Sequence, residues 1–485
     1  GSLKQATEAL ERFKFEELFL FELSMARIKH LNRKRTNGHI FEKTGPLTSA
    51  FFNKKLPFQL TSDQKHALRD IRNDVTSGLQ MSRLIQGDVG SGKTVVAAGT
   101  MLMAVDNGFQ ATFMAPTEIL AEQHYRTLSS FFDGLDIEIR MLKGKQKTKL
   151  RRDVLTSIEG GHCNIVVGTH AVIQESVQFQ NLGLAIIDEQ HRFGVKQRSQ
   201  ILQKGNHPHL LVMSATPIPR SLAMTIYSDL DISLIREMPA GRKPVKTAIR
   251  TEKKRMDLYR FLYANIKEGG QVYFVYPLIE ESEALDLKDA TLGFEKLKKH
   301  FPDFRIGLLH GRMESDEKES VMNSFVSGNL DILVTTTVIE VGVDVSNANV
   351  MIIEHAERFG LSQLHQLRGR IGRGTRQSYC ILIPGDKISR DGRYRLQKMV
   401  ETQDGFEIAE ADLKLRGPGD FLGTKQSGLP DFKYADIVED QKLLSQAKNY
   451  AWKITGVDPD LNQYDTLKKV FEPYFLEKSE FFESG

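Results

Sequence analysis

The chain opens with apolar residues near helical spacing, Ala6, Leu10, Phe13, Leu18, Phe19, Leu23, Met25 and Ile28, in a stretch otherwise rich in helix formers. That period predicts one long helix over Leu3–Arg35. It closes on a basic cluster, Lys29, His30, Arg33, Lys34 and Arg35, for which a solvated face is expected in preference to a DNA contact. From about Leu60 the period changes. Short apolar runs at 83–86, 111–114, 165–167, 184–187 and 210–213 alternate with helical stretches, which predicts a parallel sheet with helices on both faces. The segment MPAGRKPVKT (238–247) has the proline and glycine content of a linker. A second series follows, with QVYFVYP from Gln271, IGLLH from Ile306, DILVTTT from Asp331, VMIIEH from Val350 and SYCILIP from Ser378. The pattern therefore predicts two tandem α/β domains of doubly wound parallel sheet. Expected boundaries are a helical linker over 1–55, domains at 56–240 and 241–400, and a helical and hairpin extension over 401–485, with a turn at its Gly- and Pro-rich residues 416–419.

Composition narrows the class. A length of 485 residues with 40% hydrophobic and 26% charged content supports more than one core. Cys163 and Cys380 lie far apart, each beside an apolar run, so buried free thiols of a reducing compartment, the cytoplasm, are expected rather than a disulfide or metal site. No apolar run has the length of a membrane span, and the amino end lacks the order of a signal peptide. Gly1 and Ser2 read as a cloning scar, so the first natural residue is expected to lie inside a longer protein. A net charge of +4 is too small to argue for nucleic acid by itself.

The chemistry is local. GDVGSGKT (87–94) follows one apolar run and opens a helical stretch, the setting a phosphate-binding loop requires. Gly87, Gly90 and Gly92 let the amides of the loop, Ser91 among them, close on phosphate oxygens at a helix amino end. Lys93 then reaches the outer phosphates, and the Thr94 hydroxyl can bind Mg²⁺. A glycine-rich turn before a helix would not explain Lys93 and Thr94 together. The run 184–187 ends on two acids, Asp188 and Glu189. Ligands of doubly wound sheets sit beyond the carboxyl ends of the strands, so Asp188 should stand beside the loop and hold Mg²⁺. Glu189 should polarise the water that attacks the γ-phosphate of ATP. A metal-dependent nuclease is the rival use of paired acids, but no further ligands stand nearby at metal spacing.

These residues resemble those of superfamily 2 helicases. DEQH (188–191) resembles the motif of the DExH group, and SATP (214–217) the one that links hydrolysis to DNA movement. APTEILAEQH (115–124) and VVGTHAVI (166–173) sit where that group contacts a nucleic-acid strand, and QLRGRIGRG (366–374) resembles its arginine-finger motif. The resemblance implies two RecA-like domains. It further implies that Arg370 and Arg373 complete an ATP site across the cleft, with Gln366 beside the nucleotide and His191, Ser214 and Thr216 coupling hydrolysis to movement. DEQHRFGVKQR, SATPIPR, the run 335–373 and AEADLKLRGPGDFLGTKQSG (409–428) are more narrowly similar to the RecG family of branched-DNA helicases. The resemblance runs from about Leu56 to the carboxyl end, and 3–35 resembles the helix that joins that family's wedge domain to its motor. That wedge domain is expected to lie outside the residues of this chain, and with it fork specificity and strand separation.

The resemblance implies an ATP-dependent translocase on branched or duplex DNA in repair and recombination, with Mg²⁺ as cofactor, single-stranded-DNA-binding protein as a partner, no membrane and a monomeric state. It makes 405–428 a lever with working points at Arg416 and Gln426. The alternatives are a duplex-DNA translocase resembling the transcription-repair factor Mfd, which Gln190 and His191 disfavour, and a binding module that has lost hydrolysis, which the joint presence of Lys93, Asp188, Glu189, Arg370 and Arg373 disfavours. Gln64, and more weakly Phe58, are candidates for adenine recognition, against a plain helix cap at Thr61 or Ser62. The run KGKQKTKLRR (143–152) is equally consistent with phosphate contact and with a solvated face, and His170 and His191 lack metal-ligand spacing.

Overall fold

The computed structural model of the chain describes residues 3–35, 38–144, 146–189, 195–217, 230–241, 243–277, 283–336, 345–422, 432–437 and 439–477, with backbone alone for 3, 31–35, 195–196, 283–289, 315, 416–422 and 477. Within them the apolar runs form two sheets. The first contains β1 (Ser82–Gly87), β2 (Gln110–Met114), β3 (Ile139–Leu142), β4 (Ile165–Gly168), β5 (Leu182–Asp188), β6 (His209–Ser214) and β7 (Asp231–Ile235) in the order β3-β4-β2-β5-β6-β1-β7. The second contains β8 (Lys246–Ile249), β9 (Gln271–Val275), β10 (Ile306–Leu309), β11 (Ile332–Thr335), β12 (Ala348–Glu354) and β13 (Tyr379–Ile383) in the order β10-β11-β9-β12-β13-β8. The pairings are parallel throughout. These are the two tandem RecA-like domains that the sequence predicts. Strands β2, β4, β5 and β6 are buried at every position, because helices cover both faces of the sheet.

Three strands escape the hydrophobic pattern. β3, β7 and β8 each lie at the edge of a sheet and are only partly buried. Half-exposed edge strands carry polar residues such as Arg140, Asp231 and Lys246, and a neighbour's backbone recruits them rather than an apolar run. The expected linker at 238–247 is corrected accordingly: Lys246 and Thr247 pair with Tyr379 and Cys380 in the second sheet.

The helix Leu3–Arg35 forms as its period predicts. It buries Leu18 and Leu23 against the carboxyl-terminal helices Gln441–Val457 and Asp465–Glu477, which supply Leu444, Ala447, Ala451 and Phe471. The solvated face expected for its basic end does not hold at Lys29. That ammonium is buried, donates to Asp231 Oδ1 at 2.6 Å and lies 5.2 Å from the Trp452 ring centre. A second correction concerns 416–419, expected as a turn. The helix Gly405–Leu422 runs through it. Its first turns are anchored by buried Phe406, Ile408, Ala409, Ala411 and Leu413, and tertiary packing of this kind offsets the local helix penalty of glycine and proline. Both cysteines are buried and free, and burial pushes each thiol up to about 12.

Candidate active site

β1 ends at Gly87 and the helix Lys93–Asp106 begins six residues later, leaving a loop whose Gly90 and Gly92 have φ of 80° and 84°. Glycine adopts this left-handed conformation at little cost. At Gly92 it is also needed for space, since a Cβ there would stand 2.3 Å from Gln64 Nε2. The Lys93 ammonium is buried and donates to the carbonyls of Gly87 at 2.8 Å and Asp88 at 2.9 Å. Burial pushes its pKa down, against the pull of Asp188, Glu189 and Asp88. A buried cation needs such partners, and phosphate oxygens entering the loop would replace the two carbonyls. Ser91 Oγ is buried without a hydrogen-bond partner among the described residues, an unmet donor within the loop. Thr94 is half-buried in the first turn of the helix.

The acids arrive on β5, which pairs with β2 and β6. Asp188 is its last residue and is 8% exposed. Burial raises its carboxyl, but the hydrogen bond from His124 Nε2 at 2.8 Å, the charge of Lys93 and the Glu189 amide at 3.1 Å hold it below the usual range. Glu189 has φ of 55°, a conformation a non-glycine residue keeps only where its surroundings impose it. His124 is the residue that sequence reasoning missed here. It was expected among the strand-contacting residues, yet it is buried on the helix Glu118–Phe131 with its ring 4.4 Å from that of Phe113. No spacing in the sequence signals that pairing, which two separate crossovers bring about.

Ser214 ends β6, in register with Gln86 of β1. Its hydroxyl lies 2.8 Å from that of Thr216, whose carbonyl accepts from Gln86 Nε2 at 3.3 Å. The SATP hydroxyls thus sit between the phosphate-loop strand and the acid strand.

The second domain closes the site. The helix Leu361–Arg368 carries Gln366 and leads into Gly369, Arg370 and Arg373. A Cβ on Gly369 would lie 2.9 Å from Val89 Cβ, so only glycine lets this turn approach the phosphate loop so closely. Arg370 is buried, and the charge of Arg373 acts on Lys93. His365, also missed, lies 2.7 Å through Nε2 from Asp88 Oδ1.

Gln64 is buried, as a residue committed to a partner would be. Its Oε1 accepts from Thr61 N at 3.0 Å in a capping box and its Nε2 donates to Ser91 O at 2.8 Å. Cap and phosphate loop thus share one side chain. Phe58 is exposed and lines an open pocket of about 510 Å³ with Leu56, Gln59, Lys65 and Arg69. In the basic run, Lys143 pairs with Glu122 and Arg151 Nη2 donates to Gln174 Oε1 at 2.7 Å, while Lys147, Lys149 and Arg152 are exposed. His191 and Gln426 lie outside the described residues, as does the side chain of Arg416. Among the described residues no group of three or more His, Cys, Asp or Glu could hold a metal ion, and no helix is long and apolar enough to cross a membrane.

Known proteins share this arrangement. Residues 61–225 match the DEAD/DEAH box helicase family, 253–375 the helicase conserved C-terminal domain, and 402–469 the C-terminal part of domain 3 of ATP-dependent DNA helicase RecG. The chain is 51% identical over 461 residues to ATP-dependent DNA helicase RecG of Synechocystis sp., covering 95% of itself and 55% of that relative. It is 49% identical over 457 residues to the Streptococcus pneumoniae protein of the same name, covering 94% and 68%. A solved structure of RecG bound to a three-way DNA junction matches with a TM-score of 0.76 at 46% identity, over 91% of this chain and 58% of that one. The DNA-bound helicase MrfA, at TM-score 0.55 and 18% identity, shares the fold alone. The chain spans between 55% and 68% of the length of the two named relatives. Identity near one half, sustained along almost the whole chain and over both sheets, goes well beyond a shared fold: this chain belongs to the RecG family of ATP-dependent DNA helicases.

Proposed function

We propose that the chain is an ATP-driven motor that moves on branched or duplex DNA at stalled forks and recombination junctions. One observation carries the reading. Lys93 feels the charges of Asp188, Glu189 and Asp88 from the first domain and that of Arg373 from the second, and Arg370, three residues before Arg373, is buried. Phosphoryl transfer depends mainly on position and charge neutralisation, so this set suffices for hydrolysis. The loop amides and Lys93 hold the β- and γ-phosphates, and Glu189 orients the attacking water. Arg370 and Arg373 neutralise charge as the γ-phosphoryl leaves. Thr94 and Asp188 offer the hard oxygen donors that suit Mg²⁺, whose role when bound is to neutralise phosphate charge. Gln64 holds the loop from below and reaches adenine only by exchanging one of its two present partners, whereas Phe58 has an open face for a base to stack on.

DNA would lie across the carboxyl ends of both sheets. Thr169 follows β4 and Thr336 follows β11; each is buried, and its hydroxyl lacks a hydrogen-bond partner among the described residues. Such a hydroxyl could donate to a backbone phosphate only once DNA binding uncovers it. In this reading Ser214, Thr216 and His191 couple hydrolysis to movement, and 405–428 is the lever with Arg416 and Gln426 at its working points. The proposed units are 1–55, 56–240, 241–400 and 401–485, acting as a monomer in the cytoplasm, with single-stranded-DNA-binding protein as a protein partner. Hydrolysis rates with a three-way junction, linear duplex and single strand test the reading. Stimulation should be strongest with the junction; equal rates with and without every DNA would overturn it.

A further inference from the structure

A chain of contacts leaves the phosphate loop and reaches the head of the helix Gly405–Leu422 without passing through Arg370 or Arg373. His365 Nε2 lies 2.7 Å from Asp88 Oδ1, and Arg368 Nη2 lies 3.0 Å from His365 Nδ1. The guanidinium can only donate, so Nδ1 must accept and the ring proton must sit on Nε2, facing the Asp88 carboxylate. Arg368 therefore selects the imidazole tautomer. The same arginine, itself buried, donates through Nη1 to Met399 O at 2.8 Å and Thr402 O at 2.9 Å. Thr402 stands three residues before the helix Gly405–Leu422. Gly405, its first residue, touches the far side of the same pair: a Cβ there would lie 2.6 Å from His365 Nε2 and 3.0 Å from Asp88 Oδ2. A second tie holds the two helices in step, since Ser362 Oγ donates to Asp412 Oδ2 at 2.8 Å. Asp88 is anchored in return. Burial raises its carboxyl, but the bond from His365, the Val89 amide at 2.6 Å and Lys93 hold it below the usual range. A crevice of about 160 Å³ beside the pair, lined by Val89, Val245, His365, Arg368 and Gln403, leaves room for the contact to shift.

We propose that His365 is a positioning residue that joins the phosphate loop, at Asp88, to the head of the helix Gly405–Leu422, through Arg368 and the carbonyl of Thr402. Asp88 stands between Gly87 and the glycines that cradle phosphate, and Lys93 holds its carbonyl, so entry of nucleotide displaces its backbone. His365 passes that displacement to Arg368 and so to the helix. The relay rests on the hydrolysis reading above and adds to it the route by which an occupied loop is sensed outside the cleft.

The test uses the chain as it stands, with ATP and duplex DNA. A lost hydrogen bond to a charged group corresponds to about a tenfold effect, so His365→Phe should lower the DNA-stimulated kcat about tenfold and leave the KM for ATP within about twofold. His365→Gln places an amide N–H near the position of Nε2 and should restore kcat to within about threefold of the parent. The double variant of His365→Phe with Asp88→Asn should be no worse than the poorer single variant, because both break one contact. Three results would each overturn the proposal: a parental kcat in His365→Phe, no recovery in His365→Gln, or additive losses in the double variant. Thermal unfolding shows whether His365→Phe folds. If it does not, His365→Gln and Asp88→Asn decide, since the relay requires the first to stay near the parent and the second to fall about tenfold. Lys93→Ala separates the two readings. An inactive Lys93→Ala beside an unaffected His365→Phe defeats the relay alone, whereas an active Lys93→Ala defeats the hydrolysis reading.

Discussion

The two sheets share an architecture and differ in what their strand ends carry. In the first, the residues after β1 form a glycine loop closed on its own lysine, and β5 delivers two acids beside it. In the second, the residues after the central strand β9, PLIEESEALD, contain no glycine, and its contribution to the cleft comes from the turn after the helix Leu361–Arg368. In the proposed reading one domain binds nucleotide and the other completes the site. Fold alone does not place chemistry; the loops at the carboxyl ends of the strands do. The asymmetry has a physical sense. A site divided between two rigid bodies is complete only when they are close, which lets the state of the nucleotide set their separation.

The division of labour can be broken from the first domain, with the largest effect. Lys93→Ala should leave no measurable hydrolysis and weakened nucleotide binding. Glu189→Gln should keep binding while turnover falls by about 10³-fold; normal turnover in that variant would remove Glu189 from its role. From the second domain, Arg370→Ala or Arg373→Ala should lower turnover by as much as ~10³-fold while a fluorescent ATP analogue still binds. Loss of binding with unchanged turnover would show that these arginines merely hold the domains together.

A smaller effect should follow at the join itself. Gly369→Val places side-chain atoms against Val89 and forces the turn away from the phosphate loop. A displacement of about 1 Å in a catalytic group costs on the order of 10²-fold in rate, and each sheet should unfold at its usual temperature. Unchanged turnover would mean that the close approach is dispensable.

The smallest effect on activity is expected away from the cleft. Glu22 is buried on the helix Leu3–Arg35, and one of its carboxylate oxygens has no hydrogen-bond partner among the described residues. Burial pushes its carboxyl from 4.5 to about 7, against the charge of Lys448. The folded chain thus keeps a proton that the unfolded chain releases. Stability should be greatest below the unfolded value, fall as pH rises from about 4.5 to about 7, and then level off, a total on the order of 3 kcal/mol. Glu22→Gln should abolish that slope in denaturant titrations and leave hydrolysis per molecule unchanged at neutral pH. A slope that persists would assign it to other groups.

Much of this is legible in the sequence. Ten strands announced themselves as apolar runs, most of them because a strand buried on both faces has few polar positions to interrupt it; the edge strand β10 is the half-buried member. The phosphate loop and acid pair were legible because their chemistry is contiguous: glycines, lysine and threonine act within one turn, and Asp188 and Glu189 are neighbours. Other features were hidden for the opposite reason. β3, β7 and β8 draw their order from a neighbouring backbone, and Lys29 finds Asp231 across the fold. At 416–419 the local turn signal lost to the packing of the helix that contains it.

The sequence by itself determined the two-sheet plan, the contiguous residues of the proposed phosphate loop and acid pair, and the likeness of the arginine motif to a finger, since each is written in residues adjacent along the chain. Only the tertiary structure decided that His124 orients Asp188, that Gln64 serves both a helix cap and the phosphate loop, and that His365 meets Asp88. Those pairs are separated by 64, 27 and 277 residues for the His124, Gln64 to Ser91 and His365 contacts. No local period encodes such separations; the crossovers of the sheets and the closing of one domain on the other create them.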